Sequence, residues 1–205
     1  MAILYGHPES GHTYKVALAL ELAGVPFEYR WVDVFKPREQ RAADFQAASR
    51  HGEIPVLVDG APLVQSNAIL LHLAGKHRTL GGESPATMDL AREWLFWEAN
   101  RIGISLPNLR HYLRFDDSPS PPAGVLDWLR GRLQSDLQRL EKELSGNTWL
   151  LGAAPSVADI ACFAYLGYDD IGLDLGAFPG LRGWMSRLRA LPRWRPPHEL
   201  LARPA

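Results

Sequence analysis

Gly52-Glu53-Ile54-Pro55-Val56-Leu57-Val58-Asp59-Gly60-Ala61-Pro62-Leu63-Val64-Gln65-Ser66-Asn67-Ala68-Ile69-Leu70 reads, residue by residue, as a strand, a tight turn, a returning strand and the start of a helix. Pro55 lacks an N–H for a sheet ladder, so it belongs at a strand start or an edge, with apolar Val56 to Val58 beyond it. Asp59-Gly60 is the dipeptide a two-residue hairpin turn needs, and Leu63-Val64 returns as its second strand. Ser66 is placed to N-cap the apolar run Ala68, Ile69, Leu70, Leu71, Leu73. The amides of that first turn and the positive end of the helix dipole then face open space, which suits a carboxylate. The stretch therefore reads as a site for a small anion built on a sheet edge and a helix start.

Working outward, Ala2 to Tyr5 is strand-like, Thr13 to Ala23 a helix stopped by Gly24, Phe27 to Val34 an alternating strand, and Arg38 to Ala47 a short helix. The order β-α-β-α-β-β-α is that of the thioredoxin-like fold, a small mixed sheet with helices on both faces. Gly75-Lys76 through Ser84-Pro85 carries glycine and polar residues without periodicity and reads as a linker. Beyond it the pattern is helical. One long helix is expected over Met88 to Arg114, with Leu90, Trp94, Trp97, Arg101 and Ile104 at helical spacing and the Asp116-to-Pro122 run as its stop. A second is expected over Val125 to Leu144, with Leu126, Leu129, Leu133, Leu137, Leu140 and Leu144 as its core stripe. Ser156 and Asp159 form an Asp version of the capping box before the all-apolar run Ile160 to Ala164, which gives Asp159 a structural role.

The 52–70 segment resembles the glutathione-binding signature of the soluble glutathione S-transferases, in which a cis-proline precedes a hairpin and a Gln/Glu-Ser pair opens the next helix. The rest of the chain agrees over nearly its full length, in a bacterial-like form with a serine-type active-site loop. The resemblance implies an α+β thioredoxin-like domain over 1–76, a linker over 77–85 and an all-α helical bundle domain over 86–205. It further implies a cis Ile54–Pro55 bond, the Ile54 backbone pairing with the cysteinyl part of glutathione, and Gln65-Ser66 holding its γ-glutamyl end. His51 is the candidate for the glycyl carboxylate, with Lys36 and Arg38 as possible helpers.

The thiol chemistry has to come from the ligand. There is one cysteine, Cys162, inside the apolar helix, and no Cys-x-x-Cys. Candidate donors to a glutathione thiolate lie in the loop His7-Pro8-Glu9-Ser10-Gly11-His12-Thr13. Counted from Leu4-Tyr5, Ser10 occupies the position of the family's active-site serine, and Thr13 and His12 are the second choices. Ser10 also reads as a plain N-cap hydroxyl. Tyr5 falls within the strand and reads as core or wall. The pocket for a hydrophobic electrophile is expected between this loop and the first long helix of the second half, from Trp94 and Trp97 to Leu106, Asn108, His111, Tyr112 and Phe115.

Composition narrows the partners. The chain has 205 residues, 46% of them hydrophobic, and a formal net charge of −1. That balance gives no footing for nucleic acid, and the arginines at 182, 187, 189, 193 and 195 fit the solvated face of a last helix. Histidines show no metal spacing, no apolar run approaches a membrane span of ~18 residues, and a cytoplasmic protein is expected. The resemblance implies glutathione as co-substrate and a homodimer. Two other readings keep the fold: a non-catalytic binding or scaffold module, or a specialised glutathione-dependent isomerase, dehalogenase or ether lyase. Disulfide or peroxide reduction stays open beside alkyl or aryl transfer.

Overall fold

The computed structural model describes residues 1–115 and 121–203. Four strands, β1 (Ala2–Gly6), β2 (Phe27–Trp31), β3 (Val56–Asp59) and β4 (Ala61–Val64), form one mixed sheet in the order β2-β1-β3-β4. β1 and β2 run parallel, whereas β1 with β3 and β3 with β4 run antiparallel. The period-2 alternation of a strand divides these side chains between two faces. Leu4 and Leu57 join the main core. Tyr5 and Val56, on the other face, pack with Val32 and Phe45 in a smaller cluster.

The helices are α1 (Gly11–Leu22), α2 (Ala43–Ala48), α3 (Ser66–His77), α4 (Pro85–Asn100), α5 (Ile102–Arg114), α6 (Val125–Leu144), α7 (Val157–Phe163), α8 (Pro179–Arg189) and α9 (Pro197–Leu200). α6 has the bounds that its leucine stripe predicts. The main core runs without a break from α1 and α3 through α4 and α7 to Trp184 of α8. Tyr5 is wall, as expected: its ring is buried and its hydroxyl donates to Asp44 Oδ2 at 2.9 Å.

Three sequence expectations are corrected. The helix expected over Met88 to Arg114 is two helices, α4 and α5, which meet at Arg101 with φ −121° and ψ −102°. The apolar periodicity runs through this break, so no local pattern announces it. Tertiary partners hold it: Arg101 Nε donates to the fully buried carboxylate of Asp136 at 2.9 Å, and Ser105 Oγ donates to the same group at 2.9 Å. Gly103 follows because a Cβ there would lie 2.7 Å from the Glu98 carbonyl oxygen. The short helix expected over Arg38 to Ala47 is a single 3₁₀ turn, Arg38–Gln40, followed by α2. Ser66 does not cap α3 but is its first residue. The cap is Gln65, held at φ 70° without a side-chain capping bond. The expected stop after Arg114 falls largely on 116–120, outside the described residues.

The Asp159 reading holds and extends. Asp159 is fully buried and accepts from Ser156 N at 2.9 Å, Ser156 Oγ at 2.6 Å, Leu150 N at 2.9 Å and Trp184 Nε1 at 2.8 Å. The capping box is thus also a tie between α7, α8 and the turn before α7.

Candidate functional site

Two cavities meet at Ile54. The first, of about 300 Å³, lies where β3, the start of α3 and the α4–α5 junction converge. Ile54, Pro55, Gln65, Ser66 and Asn67 form one side of it, and His12, Lys15, Glu98 and Gly103 the other. The Ile54–Pro55 bond is cis. Ile54 lies outside the sheet ladder, which begins at Val56 paired with Tyr5 and Val64. Gln65 sits in a left-handed region that non-glycine residues seldom occupy, at a typical cost of about 1–3 kcal/mol, and such strain concentrates at ligand sites. Ser66 and Asn67, in the first turn of α3 that follows Gln65, line the cavity.

The floor of this cavity is charged, and both charges are buried. Lys15 and Glu98 are 1% and 2% exposed, and their Nζ and Oε1 are 2.9 Å apart. Asn67 completes the set, accepting from Lys15 Nζ at 3.0 Å and donating to Glu98 Oε2 at 2.8 Å and to Leu95 O at 2.8 Å. Sequence reasoning missed this network. Its one signal was a lysine and a glutamate set among apolar neighbours, Tyr14-Lys15-Val16 and Trp97-Glu98-Ala99.

The second cavity, of about 260 Å³, opens beside the β1–α1 loop and is lined by His7, Glu9, Ser10, Val34, Phe35, Ile54, Pro107, Arg110, His111, Phe115 and Tyr165. Ser10 is the N-cap of α1, its Oγ accepting from Thr13 N at 3.2 Å. A hydroxyl that accepts in this way still has its own proton to donate, so capping and a role toward a ligand are compatible. His12 lines the first cavity, with its ring edge-on to Tyr165 at 5.1 Å. Burial, reinforced by the Lys15 charge, pushes the His12 imidazole down to about 3, so it is neutral at physiological pH. Its buried Nδ1 has no partner among the described residues. Thr13 is fully buried, with Oγ1 3.5 Å from His7 N, and lines neither cavity. His51 is exposed and lines neither.

Of the residues expected around an electrophile, only His111 and Phe115 line the second cavity. Trp94 and Trp97 pack on each other, ring centres 5.3 Å apart, against the core, and Leu106 is buried within it. Asn108 is exposed and donates to Ile104 O. Tyr112 packs against the core. Pro107, Arg110 and Tyr165 were missed, because nothing in the local sequence marks which side of α5, or of the segment after α7, meets the loop.

The loop itself is anchored from the helical half. Arg110, 2% exposed, donates to both oxygens of Asp170, to Glu9 Oε2 at 2.6 Å and to the Glu9 carbonyl at 2.8 Å. Its guanidinium stacks over Tyr168 at 4.1 Å. Tyr168 in turn donates its hydroxyl proton to Pro8 O at 2.6 Å, and His198 Nε2 lies 2.9 Å from Glu9 Oε1. Burial raises the Glu9 carboxyl, but hydrogen bonds from His198 and Arg110 outweigh it and hold the group below the usual carboxylate range. Burial lowers the neighbouring His7 imidazole. The two cavities thus bring together a helix start at Ser66, a residue outside the sheet ladder at Ile54 and the Ser10 hydroxyl.

No helix among the described residues is long and apolar enough to cross a membrane. The family models for the N-terminal and C-terminal domains of glutathione S-transferase match residues 10–76 and 107–192. The disulfide-bond oxidoreductase YfcG of Escherichia coli (strain K12) is 31% identical over 206 residues, covering 94% of this chain and 92% of the relative. A crystal structure of a glutathione S-transferase from Pseudomonas fluorescens superposes with a TM-score of 0.84 at 34% identity, covering 96% of this chain and 98% of that one. A glutathione transferase from Burkholderia graminis, solved with two glutathione molecules bound per subunit, superposes at 0.82 and 26% identity, covering 98% of this chain and 87% of that one. Two domain matches in the family's own order, with a relative at 31% identity along nearly the whole chain, place this protein in the glutathione S-transferase family.

Proposed function

We propose that this protein is a serine-type glutathione transferase of bacterial-like form. In this reading glutathione lies in the first cavity, its γ-glutamyl carboxylate at Gln65-Ser66 and its cysteinyl backbone on Ile54 beside Pro55, with His51 toward the glycyl end. Ser10 donates to the thiolate, which attacks a hydrophobic electrophile in the second cavity. His12 and Thr13 rank behind Ser10, Thr13 further back because of its burial. The domain division at 77–85, a cytoplasmic location and a twofold homodimer belong to the same reading. The observation that carries it is the junction at Ile54: the cavity fitted for the peptide and the cavity holding the Ser10 hydroxyl share that residue.

The energetics are within reach of one hydroxyl and a helix start. A free thiol has a pKa of about 8.5, and lowering it by two units takes roughly 2.7 kcal/mol of preferential anion binding. One or two hydrogen bonds to a charged acceptor contribute about 1.5–3 kcal/mol each. Ser10→Ala should leave glutathione affinity within a few fold and lower turnover near neutral pH by about tenfold or more, the loss shrinking as pH rises. Full turnover by Ser10→Ala, with loss in Thr13→Ala, would move the donor into the helix.

A second reading, disulfide reduction, has two supports: the name of the YfcG relative, and the two glutathione molecules bound per subunit in the Burkholderia neighbour. Steady-state rates with an aryl halide and with a mixed disulfide of glutathione separate the two chemistries.

A further inference from the structure

Tyr165 belongs to the segment after α7, yet it reaches the start of α1. It lines the second cavity together with Ser10. Its ring lies so close on Gly11 that a Cβ at that position would come within 2.5 Å of the ring carbons. Glycine at residue 11 is therefore what lets a side chain from the helical half approach the helix terminus. The same ring lies edge-on to His12, the next residue of that helix start, with ring centres 5.1 Å apart. Among the described residues no acceptor is recorded for the Tyr165 hydroxyl proton. In contrast, Tyr5, Tyr14 and Tyr168 all spend theirs on protein acceptors.

We propose that Tyr165 is a second catalytic hydroxyl of the thiol site, donating to the glutathione sulfur from the helical half while Ser10 donates from the loop. This rests on the glutathione reading given above. Ionisation is then RSH going to RS⁻ with the proton released to solvent, and Tyr165 keeps its own proton throughout. The chemistry suits that role, because burial pushes the phenol up to about 12 and it stays a donor wherever the thiol is ionised. The neutral His12 ring lies edge-on to Tyr165 and does not compete as a base. Placing donors on both halves also means that the anion is fully held only when the two halves are packed together.

The test is Tyr165→Phe, which keeps the ring against Gly11 and removes only the hydroxyl. The thiolate absorbance of bound glutathione, titrated against pH, reads the thiol pKa directly. The expected result is a rise of about one unit, with kcat near neutral pH down about tenfold, KM for glutathione within twofold, and the loss vanishing above the shifted pKa. An unchanged thiol pKa and kcat in Tyr165→Phe, with both altered in Ser10→Ala, overturns the proposal and leaves the Ser10 reading standing. No shift in either variant, with glutathione still bound, overturns both. If Tyr165→Phe folds poorly, a fluorinated tyrosine at position 165 replaces it: a more acidic phenol should lower the thiol pKa, and an unmoved value refutes the role.

Discussion

Glu98→Gln tests the claim that the floor of the first cavity is a buried ion pair rather than a solvated one. The substitution keeps the volume of the side chain and removes one charge. Lys15, 1% exposed, would then be left with only neutral acceptors. The new amide would also set an N–H₂ against Asn67 Nδ2, which now donates to Glu98 Oε2 at 2.8 Å, or else force Asn67 to turn and withdraw its oxygen from Lys15. Breaking a buried pair by removing one partner costs about 3–5 kcal/mol, against about 0–1 kcal/mol for an exposed pair. In a chain of 205 residues that corresponds to a fall in Tm of about 6–20 °C. The assay is urea unfolding at pH 7 followed by tryptophan fluorescence, at one fixed protein concentration because association would shift the midpoint. Lys15→Met with Glu98→Leu should recover most of the loss, since replacing both members of a buried pair by apolar groups is often neutral or stabilising. A Glu98→Gln cost below about 1 kcal/mol, with strict additivity in the double variant, would show the pair to be hydrated and the reasoning wrong.

Acid should destabilise the fold through His12. Its native pKa of about 3 lies below the ordinary imidazole value of 6.5, so below pH 6.5 the unfolded chain takes a proton that the native chain refuses, and stability present above that pH is lost as pH falls toward 3. Between pH 7 and pH 5, His12→Gln should lose about 2 kcal/mol less than the parent protein in matched urea titrations, and parallel curves would refute the buried neutral imidazole. Asp159→Ala should cost more than Ser156→Ala, about 3–5 kcal/mol against about 0.5–2 kcal/mol, because it strands the Leu150, Ser156 and Trp184 donors together. Equal thermal shifts would reduce Asp159 to a simple cap.

Local grammar made a large part of this molecule legible. The turn at Asp59-Gly60, the pairing of Pro55 with the Gln65-Ser66 helix start, the leucine stripe of α6 and the Ser156–Asp159 capping box all lie within a few residues of their partners, where backbone chemistry and helical period constrain them. Residues 52–70 alone therefore marked out one side of the first cavity. Even there, the single-residue shift of the cap from Ser66 to Gln65 depended on a left-handed backbone that side-chain type does not announce.

What only the tertiary structure decided comes from contacts between residues far apart in the chain. Lys15 meets Glu98 across 83 positions, and Arg110 reaches Glu9 across 101. Neither pair leaves a periodic trace, because Lys15, Glu98 and Arg110 each replace a single position on their own helices and Glu9 lies in the loop before α1. The break at Arg101 is hidden for the same reason: the hydrophobic period continues through it, and the group that holds it, Asp136, lies on α6. Trp94 and Trp97, expected in a pocket, pack on the core instead, because aromatic residues at helical spacing serve a core and a cavity equally well. Which face α5 turns to the Ser10 loop, and that Tyr165 comes to rest on Gly11, follow from how the helices pack around the shared core.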